Sequence, residues 1–436
     1  MADGNVILAA AEIVKADLER KYVVVSAPGK RFGADVKVTD LLYRCSDAIE
    51  NGDNSAFEET FARVRERFLS IEREIGKAFG LDEALQNIKT EMLSGCGRDY
   101  CASRGEYLAA KIMAGVLDVP FIDATEFVRF CADGTFDEET TYSLAEEVFK
   151  KNPCAVIPGF YGLGADGKVK TFSRGGGDIS GAIVAHAVGA ALYENWTDVS
   201  GFFACDPRII SAPKWIAELS YQELRELSYM GANVLHSDSI FPVRSKGIPV
   251  RICNTFRPTD RGTYIVATAK RQLNKDDVVT GIAGKKGFTV ISIEKPMMNT
   301  EVGFIKQVLE IVAEYGISIE HLPTGIDSMA LVIDNCYLSE TLLETLLKEI
   351  EKRISPDTIF VRKNIAMIAT VGHGMVSRVG TAARLFSALA DSGINVATTL
   401  HAPNEFSIIV GVEEHVYEEC IRALYAEFFG SGGGVS

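Results

Sequence analysis

Along roughly the first 265 positions, apolar residues recur in two rhythms. Helical spacing runs through Asn5 to Lys21, Ser55 to Phe79 and Glu106 to Leu117. Short β-branched runs bounded by turn residues stand at Tyr22 to Val25, Ala155 to Pro158 and Ile248 to Ile252. Helices alternating with short buried strands predict an α/β fold, a largely parallel sheet with helices on both faces. The polar face of Phe57 to Leu69 (FEETFARVRERFL) reads as solvated helix surface. Arg257 to Asp277 is polar and rich in turn residues, so a domain boundary is placed there.

Beyond that boundary the pattern repeats. One copy, from Val302, reads VGFIKQVLEIVAEYGISIEHLPTGIDSMALVI; the other, from Val379, reads VGTAARLFSALADSGINVATTLHAPNEFSIIVG. Gly303 and Gly380 are each followed thirteen residues later by a second glycine, Gly316 and Gly393. Between them Phe304, Val308, Ile311 and Val312, and Ala383, Leu385, Phe386 and Leu389, have helical spacing. The closing glycine falls where a helix C-cap is wanted, and an alternating strand follows. A further strand precedes each copy, at Thr289 to Ile293 and Ile365 to Val371. The unit (strand, glycine-led helix, strand, strand) resembles the ACT module, a small ferredoxin-like fold that binds amino acids at paired modules. The expected modules are 280–355 and 362–431, after a first domain over 1–268.

Composition narrows the function. Over 436 residues, 59 acidic against 45 basic side chains give a net charge of −14. That balance argues against a general nucleic-acid or anionic-membrane surface, though a phosphate site needs only a few local groups. No apolar run is long enough to span a bilayer. The N-terminus lacks the basic start of a signal peptide. Nine cysteines without CxxC pairs read as reduced, largely buried thiols of a cytoplasmic protein. Six scattered histidines give no zinc pattern, so no protein-borne metal site is expected.

The segment with most local chemistry is TFSRGGGDISGAIVAHAVGAAL, Thr171 to Leu192. Glycines let a backbone approach a ligand, and the N–H groups of a helix start favour an anion. Arg174 adds a fork of donors and Asp178 a carboxylate in the first turn. Alone, such a loop is often only a tight turn, and it is neither a Walker A loop nor a dinucleotide fingerprint. Its companions are YVVVSAPGKR (Tyr22 to Arg31), KVTDLL (Lys37 to Leu42), SRGEYLAAKI (Ser103 to Ile112), WTDVSGFFACDPRII (Trp196 to Ile210) and MGANVLHSDSIFPV (Met230 to Val243).

In this order and spacing the chain resembles the aspartokinase branch of the amino-acid kinase family, over essentially its whole length. The resemblance implies a three-layer αβα sandwich followed by two ACT modules. It implies transfer of the γ-phosphoryl of ATP, with Mg²⁺ carried on the nucleotide, to the side-chain carboxylate of L-aspartate. By motif, Ser26, Thr39, Glu106, Arg174 and Gly177 would hold aspartate. Arg174 suits its α-carboxylate and Glu106 its ammonium; Glu106 read without the family is a helix-start carboxylate favoured by the dipole. Asp178, with Arg174, would organise the reacting centre. Thr197, Asp198, Phe203, Arg208, Asn233 and Val234 would line the nucleotide site. Met298, Phe304 and Ile305, with Ser318, Ile319 and Glu320, would bind an effector, lysine or threonine or both. A homodimer or dimer of dimers through the ACT modules is implied.

The sequence also departs from the family. Members begin with a strand running into a KFGG-type loop whose lysine neutralises the transferring phosphoryl. Here Met1 falls just after that loop, so a truncated or internal start is expected, with Lys30 as a conceivable substitute cation. Position 177 is glycine where serine is usual, and Asn233 replaces a common lysine. These departures favour a second reading, a catalytically impaired amino-acid sensor. Glutamate and acetylglutamate kinases share the fold but lack the ACT pair.

Overall fold

The computed structural model describes residues 1–173, 175–232, 234–235, 237–268, 278–376, 378–401 and 406–430; Arg174, Asn233 and His236 therefore lie outside the described residues. The chain divides into two compact units, 1–201 with 234–271, and 202–233 with 272–436.

In the first unit the helices form where the apolar spacing places them, with bounds set by caps. The first runs Gly4–Lys15, with the Asp3 side chain accepting from Val6 N–H at 2.9 Å. It stops short of the expected Lys21 because Asp17 turns its carboxylate onto the Glu19 N–H, a local bond that competes with the helix. Asn54–Ile75 is capped by Asp53 and ended by left-handed Gly76. It buries Phe57, Phe61, Val64, Phe68 and Ile71. Its polar face is not all solvated. Arg67 is 4% exposed and holds the 29–36 loop through Gly29 O at 2.9 Å, Asp35 Oδ2 at 2.5 Å and Val36 O at 3.3 Å. The helix expected from Glu106 begins eight residues earlier and spans Arg98–Leu117. Gly105, which reads as a breaker, sits inside it against Ala27, Val38 and Leu42.

Two groups of strands carry the site. Tyr22–Val25 pairs in parallel with Ala155–Pro158. Tyr193–Thr197 pairs in parallel with Val250–Asn254, which pairs antiparallel with Thr263–Val266. The glycine-led helix Gly176–Ala187 packs on both Tyr22–Val25 and Tyr193–Thr197, so its first turn meets the ends of both strands.

The second unit is a five-stranded antiparallel sheet, in the order Ser328–Asp334, Gly281–Glu294, Thr358–Val371, Ser407–Glu413, Thr398–Leu400. Gly281–Glu294 and Thr358–Val371 are each long enough to serve both repeats. Thr358 to Val361 pair with Glu294 to Ile291, and Met367 to Val371 with Lys285 to Gly281, across an irregularity at Arg362–Met367. Phe304–Glu314 and Glu340–Ile354 cover one half of the sheet, through Val308, Ile311, Leu346 and Ile350. Thr381–Asp391 and Tyr417–Phe429 cover the other, through Leu385, Leu389 and Leu424. The strand expected after Gly316 is reduced to bridges at His321 and Thr324, since Pro323 has no N–H for a ladder.

Candidate active site

Four stretches converge at the carboxyl end of Tyr22–Val25. Ser26 follows that strand directly. A Cβ placed on Gly177 would lie 2.8 Å from the Ser26 hydroxyl oxygen, so the turn and the serine are in contact, and the glycine that replaces the family's serine is what leaves room. The Ala27 backbone N–H faces the Glu106 carboxylate closely enough to favour its charged form. Thr39 stands in the first turn of Val38–Glu50, whose Val38 faces Gly105. The structure thus brings together Ser26, Glu106, Gly177 and Asp178, with Thr39 on the adjoining helix.

Glu106 is the group out of place by ordinary rules. It stands in mid-helix, so the helix-start explanation fails; it is 6% exposed, and Oε2 has no hydrogen-bond partner. Burial raises its pKa from 4.5 to about 7, against the opposing effects of the Ala27 N–H and the nearby Arg104.

Gly159 and Phe160, which the sequence reading passed over, bracket this arrangement. Gly159 N–H donates to Val25 O at 3.0 Å. Phe160 holds φ at +81°, costly for a bulky residue. In that conformation its N–H reaches both Gly176 O at 3.1 Å and Ser180 Oγ at 2.9 Å. The bracket fixes the start of the glycine-led helix against the strand end. Its signal in sequence is only Pro158-Gly159 before an aromatic.

Asp178 lies in the first helical turn and accepts from Asn195 Nδ2 at 2.8 Å. Thr197 ends its strand and Asp198 follows; Thr197 Oγ1 donates to Asp198 Oδ1 at 3.3 Å. Asn254, another residue the sequence reading missed, holds that corner by donating to Asp198 O and Ser200 Oγ. Val234 is half-buried in the same unit. Phe203 and Arg208 belong to the second unit, where Arg208 is exposed and its guanidinium is taken up by Asp206. Lys30 is exposed. Among the described residues no group of three or more His, Cys, Asp or Glu could hold a metal ion.

The proposed effector residues separate. Met298, Phe304 and Ile305 line a cavity of about 360 Å³ with Thr324 and Gly325. Ser318 and Ile319 do not line it. Glu320 lines a different cavity of about 600 Å³, beside Arg225, His321 and His401, and accepts from the Tyr229 hydroxyl. Burial, then the Asp334 carboxylate, raises the Glu320 pKa.

A glycine-led helix start over parallel strand ends, with a buried carboxylate opposite, can receive an anion and a cation side by side, and the sequence comparisons give the class of protein. The sequence matches the Amino acid kinase family over residues 1–254 and an ACT domain over 368–428. Aspartokinase 3 of Bacillus subtilis is 36% identical, over 96% of this chain and 94% of that protein. The crystal structure of Clostridium acetobutylicum aspartate kinase superposes with a TM-score of 0.91 at 44% identity, covering 98% of this chain and 97% of that one. Escherichia coli aspartokinase III, solved with aspartate and ADP and also with lysine and aspartate, shares the fold at 23% and 24% identity and TM-scores of 0.77 and 0.75. Each of those two comparisons covers 98% of this chain and 97% of that one. This chain belongs to the aspartokinases of the amino acid kinase family and is an enzyme of that class.

Proposed function

We propose that the protein transfers the γ-phosphoryl group of ATP to the side-chain carboxylate of L-aspartate, giving 4-phospho-L-aspartate, as the first step toward lysine, threonine and methionine. A carboxylate oxygen of aspartate forms the new P–O bond, the bond to the β-phosphate oxygen breaks, and ADP leaves. The nucleophile is already an anion, so no base is needed; positioning and charge neutralisation do the work.

The observation that carries this reading is Glu106. A buried carboxylate with an unpartnered oxygen suits a cation, and the aspartate ammonium is one. Ser26 and Thr39 would fix the substrate and Arg174 its α-carboxylate. Asp178 would act at the reacting centre, and Thr197 and Asp198 at the nucleotide. Mg²⁺, carried on the nucleotide, would neutralise phosphate charge, with Asp178 one carboxylate that could join ligands from the nucleotide and water. Escherichia coli aspartokinase III, which shares the fold, has been solved with aspartate and ADP bound.

Feedback regulation belongs to the same reading, with lysine or threonine entering at the cavity of Met298, Phe304 and Ile305. Glu320 lines the other cavity, so Glu320→Ala should leave the inhibitory concentration of lysine within about threefold; a rise of tenfold or more would move the effector to the cavity of Arg225, Glu320 and His401. Pairing of subunits through the ACT modules belongs to the same reading. All nine cysteines are free, which fits a reducing cytoplasm, and no described helix is long and apolar enough to cross a membrane.

The deciding experiment traps acyl phosphate as hydroxamate, from L-aspartate, ATP and Mg²⁺, with the full natural protein. Aspartate-dependent hydroxamate establishes the kinase. Its absence, with lysine or threonine still bound in calorimetry, turns the reading to an amino-acid sensor.

A further inference from the structure

A strand packed beneath a helix ordinarily presents apolar residues to it. Tyr193–Thr197 does not. On one side of the strand, Glu194 pairs with Arg20 at 2.7 Å and receives the Trp196 indole N–H at 3.1 Å. On the other, alternate positions carry Tyr193, Asn195 and Thr197, all polar. Asn195 is 9% exposed, where an unpaired amide would be expensive.

Its pairing explains it. Asn195 Nδ2 donates to Asp178 Oδ1 at 2.8 Å and to the Tyr193 hydroxyl oxygen at 3.2 Å. The Tyr193 hydroxyl in turn donates to the Asp178 backbone carbonyl at 3.2 Å. Tyr193 reaches it because position 181 is glycine; a Cβ there would stand 2.4 Å from the tyrosine oxygen. One strand therefore grips both the carboxylate and the backbone of the same residue.

We infer that Asn195 is a positioning residue for the phosphoryl transfer, which with Tyr193 fixes the rotamer of Asp178. The inference rests on the role proposed above for Asp178. An amide N–H is a neutral donor that holds one carboxylate oxygen in place, without the competing charge a lysine would bring. Among the described residues, Tyr193 is a titratable group placed on Asp178, and burial raises its phenol so that it stays neutral. Glu194 faces Arg20 across the strand, while Lys246 and Tyr142 meet the helix at His186, its far end.

The test compares Asn195→Leu, Asn195→Ser and Asp178→Asn with the parent, in the hydroxamate assay and in thermal unfolding. Asn195→Leu should lower kcat about 10- to 100-fold, with KM for aspartate and for ATP within about threefold, since a mispositioned group costs rate more than binding. Asn195→Ser keeps a donor with a shorter reach, and its kcat should fall between those of Asn195→Leu and the parent, again with KM within about threefold. A purely structural asparagine would not separate kcat from KM in this way. Parent-like kcat in Asn195→Leu, or a loss carried by KM and not by kcat, overturns the inference. Should Asn195→Leu not fold, the kcat-against-KM split of Asn195→Ser decides. If Asp178→Asn itself keeps parental kcat, the role of Asp178 fails; if it loses kcat while both Asn195 variants keep theirs, only the positioning inference fails.

Discussion

Glu106 sets the clearest pH dependence in the molecule. Its folded-state pKa lies near 7, above the 4.5 of an exposed glutamate. Between those values the folded protein holds a proton that the unfolded chain has released. Stability therefore falls as pH rises through that window, and the cost is complete above about 7. It amounts to about 3 kcal/mol. Glu106→Gln should match the parent at pH 4 and exceed it by up to about 3 kcal/mol at pH 8 in urea unfolding. The same variant should raise KM for aspartate at least tenfold at pH 8, because the ammonium loses its counter-charge. Phe160 makes a second residue-scale case. Phe160→Gly removes a backbone cost of about 1 kcal/mol. It should leave the melting temperature within a few degrees yet raise KM for aspartate, since the bracket between Val25 and Gly176 is then free to relax. Glu106 was legible in SRGEYLAAKI by resemblance. Phe160 was not, because a positive φ leaves no mark on an aromatic residue.

At the scale of elements, caps and tertiary partners decide what periodicity leaves open. The helix Tyr221–Tyr229 shows both. Its start is a capping box in which Ser220 and Glu223 satisfy one another. Glu223 is fully buried and also accepts from Thr280 Oγ1 at 2.6 Å and His373 N–H at 3.1 Å, tying the helix to two strand ends of the five-stranded sheet. Glu223→Gln sets a donor against Ser220, Thr280 and His373, which donate to this carboxylate. It should destabilise the second unit by about 1–3 kcal/mol, read as a lowered first transition in calorimetry. A sequence-based boundary at 257–277 leaves this helix with the catalytic part. Glu223 reads as an ordinary helix acid there, and nothing local announces partners 57 and 150 residues away.

At the scale of the whole molecule, the two repeats are not separable beads. Residues 281–285 pair with 367–371, so the second repeat draws a strand from before the first. A fragment of residues 362–430 would lack that strand and expose the Ile368 and Val410 face. It should be unfolded by circular dichroism, whereas 278–430 should melt cooperatively. The sequence by itself determined the α/β character, the doubled glycine-led helices and the motifs of the site, because periodicity, caps and glycine positions act over a few residues. Tertiary structure alone decided that Gly281–Glu294 serves both repeats, that 202–233 joins the second unit, and that Asn195 and Phe160 hold Asp178 and its helix. Those outcomes depend on burial, register and pairing between distant segments. A carboxylate or an amide acquires its role only from what packs against it.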